Sequence, residues 1–231
     1  MDKNLKRIIH IFILLILPLG VYAQKDVTQF LDIPVDGYKP EMIEKLKSRG
    51  FTINRQNEDI LNGEFNGTKV NILIGTNNNK VWRIAVLDEY PTNETNIKIR
   101  FNNLIQQFVN NERYSTEADS TIAKYTIPQE EDISYEITVN KKRYDAVFYQ
   151  KSLKYDSLSR ELKRKKDLLT QKDSLNDKEF EILRPLIVES VLESMNSINK
   201  PIWFMIKEDY GEYRIVIFYE NEYNKANGSK L

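Results

Sequence analysis

Asn66-Gly67 lies between "ILNGEF" and "KVNILIG", and it is the short feature that most restricts how this chain can fold. Both residues tolerate positive φ, which a two-residue turn between antiparallel strands demands, so the segment predicts a tight β-hairpin. In "KVNILIG", Val70, Ile72 and Ile74 fall on one face at strand period. "TNNNK" supplies a second polar turn, and "VWRIAVLD" the next strand, with Trp82, Ile84 and Val86 expected on one face and Arg83 on the other. Antiparallel β structure is therefore the frame into which everything else must fit.

A helix precedes that frame. In "DGYKPEMIEKLKSRGF", Asp36-Gly37 marks a turn and Pro40 suits a first helical turn, where its missing N–H costs nothing. Met42, Ile43 and Leu46 give one apolar face, and Gly50 follows Lys47 and Arg49 as a left-handed stop. The pattern then begins again. Thr92 or Asn93 caps a helix whose apolar face is Ile97, Phe101, Leu104, Ile105 and Phe108. "IAKYTI", "ISYEITV" and "RYDAVFYQ" read as strands, with Ile133, Tyr135, Ile137 and Val139 alternating in the second and Asn140-Lys141-Lys142 as a turn. "PIWFMIK" and "YRIVIFYE", joined through "EDYG", close the chain as two more strands.

Between Gln150 and Pro201 the strand pattern stops. A charged segment with Leu158, Leu162 and Leu169 on one stripe is followed by "EFEILRPLIVESVLESMNSI". Asn176 and Glu179 form a capping box at its start, and Pro185 either kinks this helix or begins its better-formed part. The expectation is an inserted helical hairpin whose apolar stretch, Leu186 to Leu192, packs on the sheet. The fold class is α+β: two consecutive helix-plus-antiparallel-meander units, residues 24–90 and 91–221, the second with the hairpin at about 151–199, and a flexible tail at 222–231.

The first 23 residues read as a secretory signal. A basic start with Lys3, Lys6 and Arg7 precedes an apolar run broken by Pro18 and Gly20, and Val21 and Ala23 occupy the positions a signal peptidase reads. A retained transmembrane helix needs about 20 unbroken apolar residues, more than this run offers. Cleavage near Ala23 makes the protein exported, periplasmic or secreted. It also removes His10, the one histidine, and the chain has no cysteine. Residues 24–231 thus have no side chains for Ser-His-Asp triads, thiol nucleophiles, disulfides or Cys/His zinc sites.

The 34 Lys and Arg balance 34 Asp and Glu, and loss of the leader leaves a net charge of about −2. This is not the basic face of a nucleic-acid binder. No calcium loop of D-x-D-x-D-G type and no glycine-rich phosphate loop occurs, so no cofactor is expected. Glu130, Glu131 and Asp132, or Asp88 and Glu89, are candidate acid pairs for glycoside hydrolysis, but they sit at strand ends where solvated acids are ordinary. Ser197 and Lys200 match an S-x-x-K spacing, with the Ser at a helix end, Pro201 next and no companion motifs. The basic run Lys163, Arg164, Lys165 and Lys166 suits contact with an anionic membrane surface, or simply the wet side of a helix. Strand aromatics, among them Tyr149 and Tyr219, divide between faces by parity, and those on a face no helix covers make a partner-binding surface.

A helix followed by a four-stranded meander, met twice, resembles the β-lactamase inhibitor protein fold. "DIPVDGYKPEMIEKLKSRGF" resembles the helix-opening segment of that fold's relatives among small outer-membrane-associated proteins, with Gly37, Lys39, Glu41, Met42, Ile43, Leu46 and Gly50 in the G-x-s-x-e-e-V-x-x-L-x-x-x-G places. "NNNKVWRIAV", "IKIRFNNLIQQF" and "EEDISYEITVNKKRY" resemble secreted proteins of gut Bacteroidetes. The resemblance implies architecture over residues 30–221 and a tendency to bind another envelope protein or peptide. It transfers no contact residue, and the inserted hairpin departs from the plain fold. The expected function is a non-enzymatic protein- or peptide-binding module of the envelope; the alternative is a carboxylate hydrolase of envelope polysaccharide.

Overall fold

The computed structural model describes residues 26–116, 124–169 and 176–226; the leader and its cleavage site lie outside them. The described chain is α+β, with five helices and a large antiparallel sheet. A small hairpin, β1 (Gln29–Phe30) and β2 (Ile33–Pro34), leads into helix α1 (Lys39–Lys47), then β3 (Thr52–Ile53), β4 (Ile60–Phe65), β5 (Thr68–Asn77) and β6 (Lys80–Asp88). Helix α2 (Glu94–Val109) is followed by β7 (Tyr114–Ser115), α3 (Ile133–Thr138) and β8 (Asp145–Gln150). The hairpin helices α4 (Leu153–Leu169) and α5 (Asp177–Ser197) separate β8 from β9 (Pro201–Asp209) and β10 (Glu212–Glu220).

The eight-stranded sheet runs β3-β4-β5-β6-β10-β9-β8-β7, so the last strand of each half meets at the centre and the two outermost strands have only two residues each. Asn66 (φ 53°) and Gly67 (φ 70°) form the β4–β5 turn as predicted, with left-handed backbone at both central positions. Asn78 and Asn79 repeat this device between β5 and β6, and Tyr210-Gly211 between β9 and β10. Pro40 lies in the first turn of α1, and Met42 and Leu46 are its buried residues. Asn93 caps α2 by accepting from Asn96 N at 2.9 Å, and all five apolar positions predicted for its inner face are buried.

Both of these helices contribute to a single core with one face of the sheet. Phe101 and Phe108 meet Phe204 at 5.1 and 5.5 Å between ring centroids, while Phe30 joins Phe51, Phe65 and Tyr219. Gly63 lets Phe51 lie flat on β4: a Cβ there would sit 2.2 Å from Phe51 Cδ1. Asp88, at the end of β6, is buried with a two-pronged clamp from Arg100 at 2.7 and 2.5 Å, and Arg100 also reaches Thr68 Oγ1 at 2.9 Å.

Four expectations are corrected. "ISYEITV" is helix α3, not a strand: Asp132 accepts from Tyr135 N at 2.9 Å, and Ile133 with Ile137, four apart, turn to the core while Tyr135 and Val139 face water. In "IAKYTI", the described residues Lys124 and Tyr125 are helical. Trp82 does not share the core face with Ile84 and Val86. A register shift at Gly75/Thr76 pairs Thr76 with Val81, so Val81 takes the inner place and Trp82 is left half-buried beside Arg83.

The hairpin forms with its capping box, and α5 runs unbroken through Pro185, but among the described residues neither of its helices makes an extended contact with the sheet. The buried residues of α5, Leu183, Ser190 and Ser197, recur every seven positions, the spacing of a two-helix seam, and the helix that α5 packs against is α4. Val188, Val191 and Leu192 are at least half exposed.

Residues 222–226 fold back onto the body, Asn224 Nδ2 donating to Asp36 Oδ1 at 2.7 Å and to Val81 O at 2.8 Å.

Gly63→Ala is expected to cost about 1–3 kcal/mol through overpacking against Phe51, read as a lower denaturant midpoint, and Phe51→Leu in the same chain should recover part of it. Deleting residues 152–197 should leave the melting temperature of the sheet within a few degrees, because the hairpin packs on itself; a collapse of cooperative melting would contradict this arrangement.

Candidate functional site

Register decides what the second face of the sheet displays. Along β10, Arg214, Val216, Phe218 and Glu220 alternate with the core residues Ile215, Ile217 and Tyr219. Directly opposite stand Lys207, Met205 and Trp203 on β9, and Leu87, Ala85 and Arg83 on β6. Leu73 of β5 continues the row at 39% exposure, and Val147 and Tyr149 of β8 extend it on the other side. Helices α1 and α2 pack against the core face; among the described residues no helix packs along this one.

At its centre, Trp203 and Phe218 stack with centroids 4.1 Å apart. The Arg83 guanidinium lies 4.2 Å over Trp82 and 4.7 Å over Phe218, cation–π geometry on two sides. Glu220 fastens the group: its Oε1 accepts from Arg83 Nη2 and, at 2.9 Å, from Trp203 Nε1. Burial works to raise the Glu220 carboxyl, but the Trp203 hydrogen bond and the charges of Arg83 and Lys225 outweigh it and hold it below the ordinary range.

Two donors on this face are left over. Arg83 Nε is buried without an acceptor, and so is Arg214 Nε. Arg214 makes no ion pair or side-chain hydrogen bond among the described residues, and the residue directly across from it is another cation, Lys207. Like charges in register oppose strand pairing, so the Arg214–Lys207 pair makes this end of the face locally cationic, with Asp145 of β8 opposite the neighbouring Met205.

The sequence-predicted residues divide. Tyr149 lies on the open face, half-buried. Tyr219 does not: it is 3% exposed and packed 4.9 Å from Phe30 in the core, because parity sends it inward between Phe218 and Glu220. Burial pushes its hydroxyl well above the ordinary tyrosine range. The basic run stands apart from the sheet on α4, with Lys163 and Arg164 exposed, Lys165 paired to Glu161 at 3.1 Å and Lys166 half-buried. Phe218 belongs to the strand aromatics expected to divide by parity, and Arg83 is expected on the face away from the core, but neither is named as a contact residue, and Trp203 and Arg214 are not singled out for binding. Alternation through "YRIVIFYE" placed Arg214 and Phe218 on one face, but nothing in it marked that face as uncovered.

Three of the five candidate acids, Asp88, Glu131 and Asp132, are occupied by structure, while Glu130 is exposed. Asp88 is clamped by Arg100 and accepts from Ile215 N at 3.2 Å. Asp132 caps α3. Glu131 accepts from Lys142 and from the Tyr144 hydroxyl; burial alone would raise its carboxyl, but these two partners keep it below the ordinary range. Ser197 bonds back to Glu193 O at 3.3 Å, while the buried Lys200 reaches Asp26 at 2.8 Å, so each has its own partner.

A groove of about 590 Å³ opens on the core side of the sheet, where Phe65, Phe108, Tyr114 and Tyr219 meet under a rim tied by Asn66 Nδ2 donating to Gln107 Oε1 at 2.7 Å. Among the described residues no group of three or more His, Cys, Asp or Glu is placed to hold a metal ion, and no helix is long and apolar enough to cross a membrane.

Because Glu220 is ionised more readily folded than unfolded, its stabilising contribution is complete above the unfolded value near 4.5 and lost as pH falls through the lower folded value. Glu220→Gln should therefore melt below wild type at neutral pH, the gap narrowing progressively as melts are taken to pH values below the ordinary carboxylate range.

Compared with protein-family models, curated proteins and solved structures, the chain finds no match.

Proposed function

We propose that this chain is an exported, non-enzymatic module of the cell envelope that binds a protein or peptide through the open face of its sheet, with the inserted hairpin as a second surface. The observation that carries the reading is the Trp203–Phe218–Arg83 cluster on a face along which no helix packs among the described residues, flanked by Arg214, whose buried Nε has no acceptor. Aromatic and arginine side chains held rigid by neighbours are the residue types that anchor protein interfaces, because they bring large contact area at little entropic cost. Glu220 prepays that ordering by fixing Arg83 and Trp203 before any partner arrives.

The architecture supports the same reading. One helix precedes β3–β6 and another precedes β7–β10, in keeping with two successive helix-plus-four-strand units of the kind found in β-lactamase inhibitor proteins. The inserted hairpin and α3 belong to the second unit alone. A carboxylate hydrolase is the less favoured reading, since Asp88, Glu131 and Asp132 each serve a structural contact.

The test is capture of a stoichiometric partner from envelope extract by residues 24–231. Leu73→Arg and Lys207→Glu, both at exposed positions on the open face, should weaken capture about tenfold or more, the effect of losing an interface hot spot, without lowering the melting temperature. Turnover of a polysaccharide panel that vanishes on Glu131→Gln would replace this reading with the hydrolase.

A further inference from the structure

Helix α5 has two apolar faces, and α4 covers one of them. The other consists of Val188, Val191, Leu192, Met195 and Ile198, spaced i, i+3, i+4, i+7 and i+10, each 50–60% exposed. That is the spacing with which a helix buries a stripe against a neighbour. The patch is of the size, on the order of several hundred Å², at which exposed apolar surface on a soluble monomer marks an interaction site, and doubled across a two-fold axis it approaches the low end of specific interfaces.

We infer that this stripe pairs two copies of the chain, α5 against α5, antiparallel about a two-fold axis. The stripe is complementary to itself in one register: Val191 faces Leu192 of the other copy and Val188 faces Met195. The same register brings Arg184, which stands one turn before Val188, to the carbonyl end of the opposite helix, where a cation is favoured. Antiparallel helices also set their dipoles head to tail. The contact is isologous, so it closes at two copies.

Other coverings fit less well. Glu181 lies beyond one end of the stripe, while Glu189 and Glu193 turn to Lys154 of α4; these acids repel anionic lipid headgroups. The basic run that would attract them is on α4. The sheet is reached by neither hairpin helix in any extended contact. This inference concerns a different surface from the open sheet face, so either can fail without the other.

The test uses the absence of cysteine from the chain. Residues 24–231 are expected to sediment as a dimer at micromolar concentration. Val188→Glu with Leu192→Glu should give a monomer of unchanged circular dichroism, whereas Ile182→Glu, outside the stripe but equally exposed, should leave the dimer intact. Mixing Val188→Cys protein with Met195→Cys protein under mild oxidation should yield the mixed covalent dimer in excess over either self-linked one. A monomer at all concentrations, whether or not it floats with phosphatidylglycerol vesicles, would overturn the proposal. So would a dimer indifferent to charge at Val188 and Leu192, or cross-links no richer in the mixed species.

Discussion

The β6–β10 ladder is the constraint on which the rest of the molecule depends. Five residue pairs, from Val216↔Leu87 to Glu220↔Arg83, join two halves of the chain that otherwise meet mainly through the core. Its register sets both faces together. Val86 with Ile217 and Ile84 with Tyr219 point to the helices, while Ala85 with Phe218 and Arg83 with Glu220 point away. A slip of one residue would exchange the two sets and put Glu220 in the core. The buried Asp88–Arg100 pair guards the end of this ladder, since Asp88 also accepts from Ile215 N. Fold and candidate site are thus one seam seen from two sides.

Much of this was legible in the sequence wherever local chemistry and tertiary demand agree. The Asn66-Gly67 and Asn78-Asn79 turns, the Asn93 cap and the Asn176–Glu179 box each specify backbone geometry from within a few residues. The failures share a cause. Ile133, Tyr135, Ile137 and Val139 satisfy strand alternation, but Ile133 and Ile137 also satisfy helical spacing, and the Asp132 cap decides for the helix. The bulge that displaces Trp82 depends on pairing with β5, which no window on β6 contains. Apolar content in α5 was read as sheet-facing because burial is the usual fate of Val and Leu; which surface receives them is a tertiary property. The two-residue strand β7 has too little sequence to carry a period.

Residues 24–231 carry neither imidazole nor thiol, and the centre of the open face is built from aromatic rings, guanidinium and carboxylate. On the open face these are not merely present but mutually locked, with Glu220 receiving both the Trp203 indole and Arg83. The face therefore tolerates an unpaired donor at Arg83 Nε and another at Arg214, a cost that a rigid frame can sustain and a mobile loop could not. The α5 stripe is built on other terms, with aliphatic side chains on a helix whose extended contact among the described residues is with its hairpin mate.

The margins of the sheet carry a last consequence. Thr52–Ile53 and Tyr114–Ser115 are its outermost strands, and each offers a visiting backbone almost no ladder to extend. Such abbreviated borders discourage β-strand addition and the runaway stacking that leads to fibrils. On the proposed reading a partner is selected by the side chains of the open face, with little ladder at Thr52–Ile53 or Tyr114–Ser115 for its backbone to join.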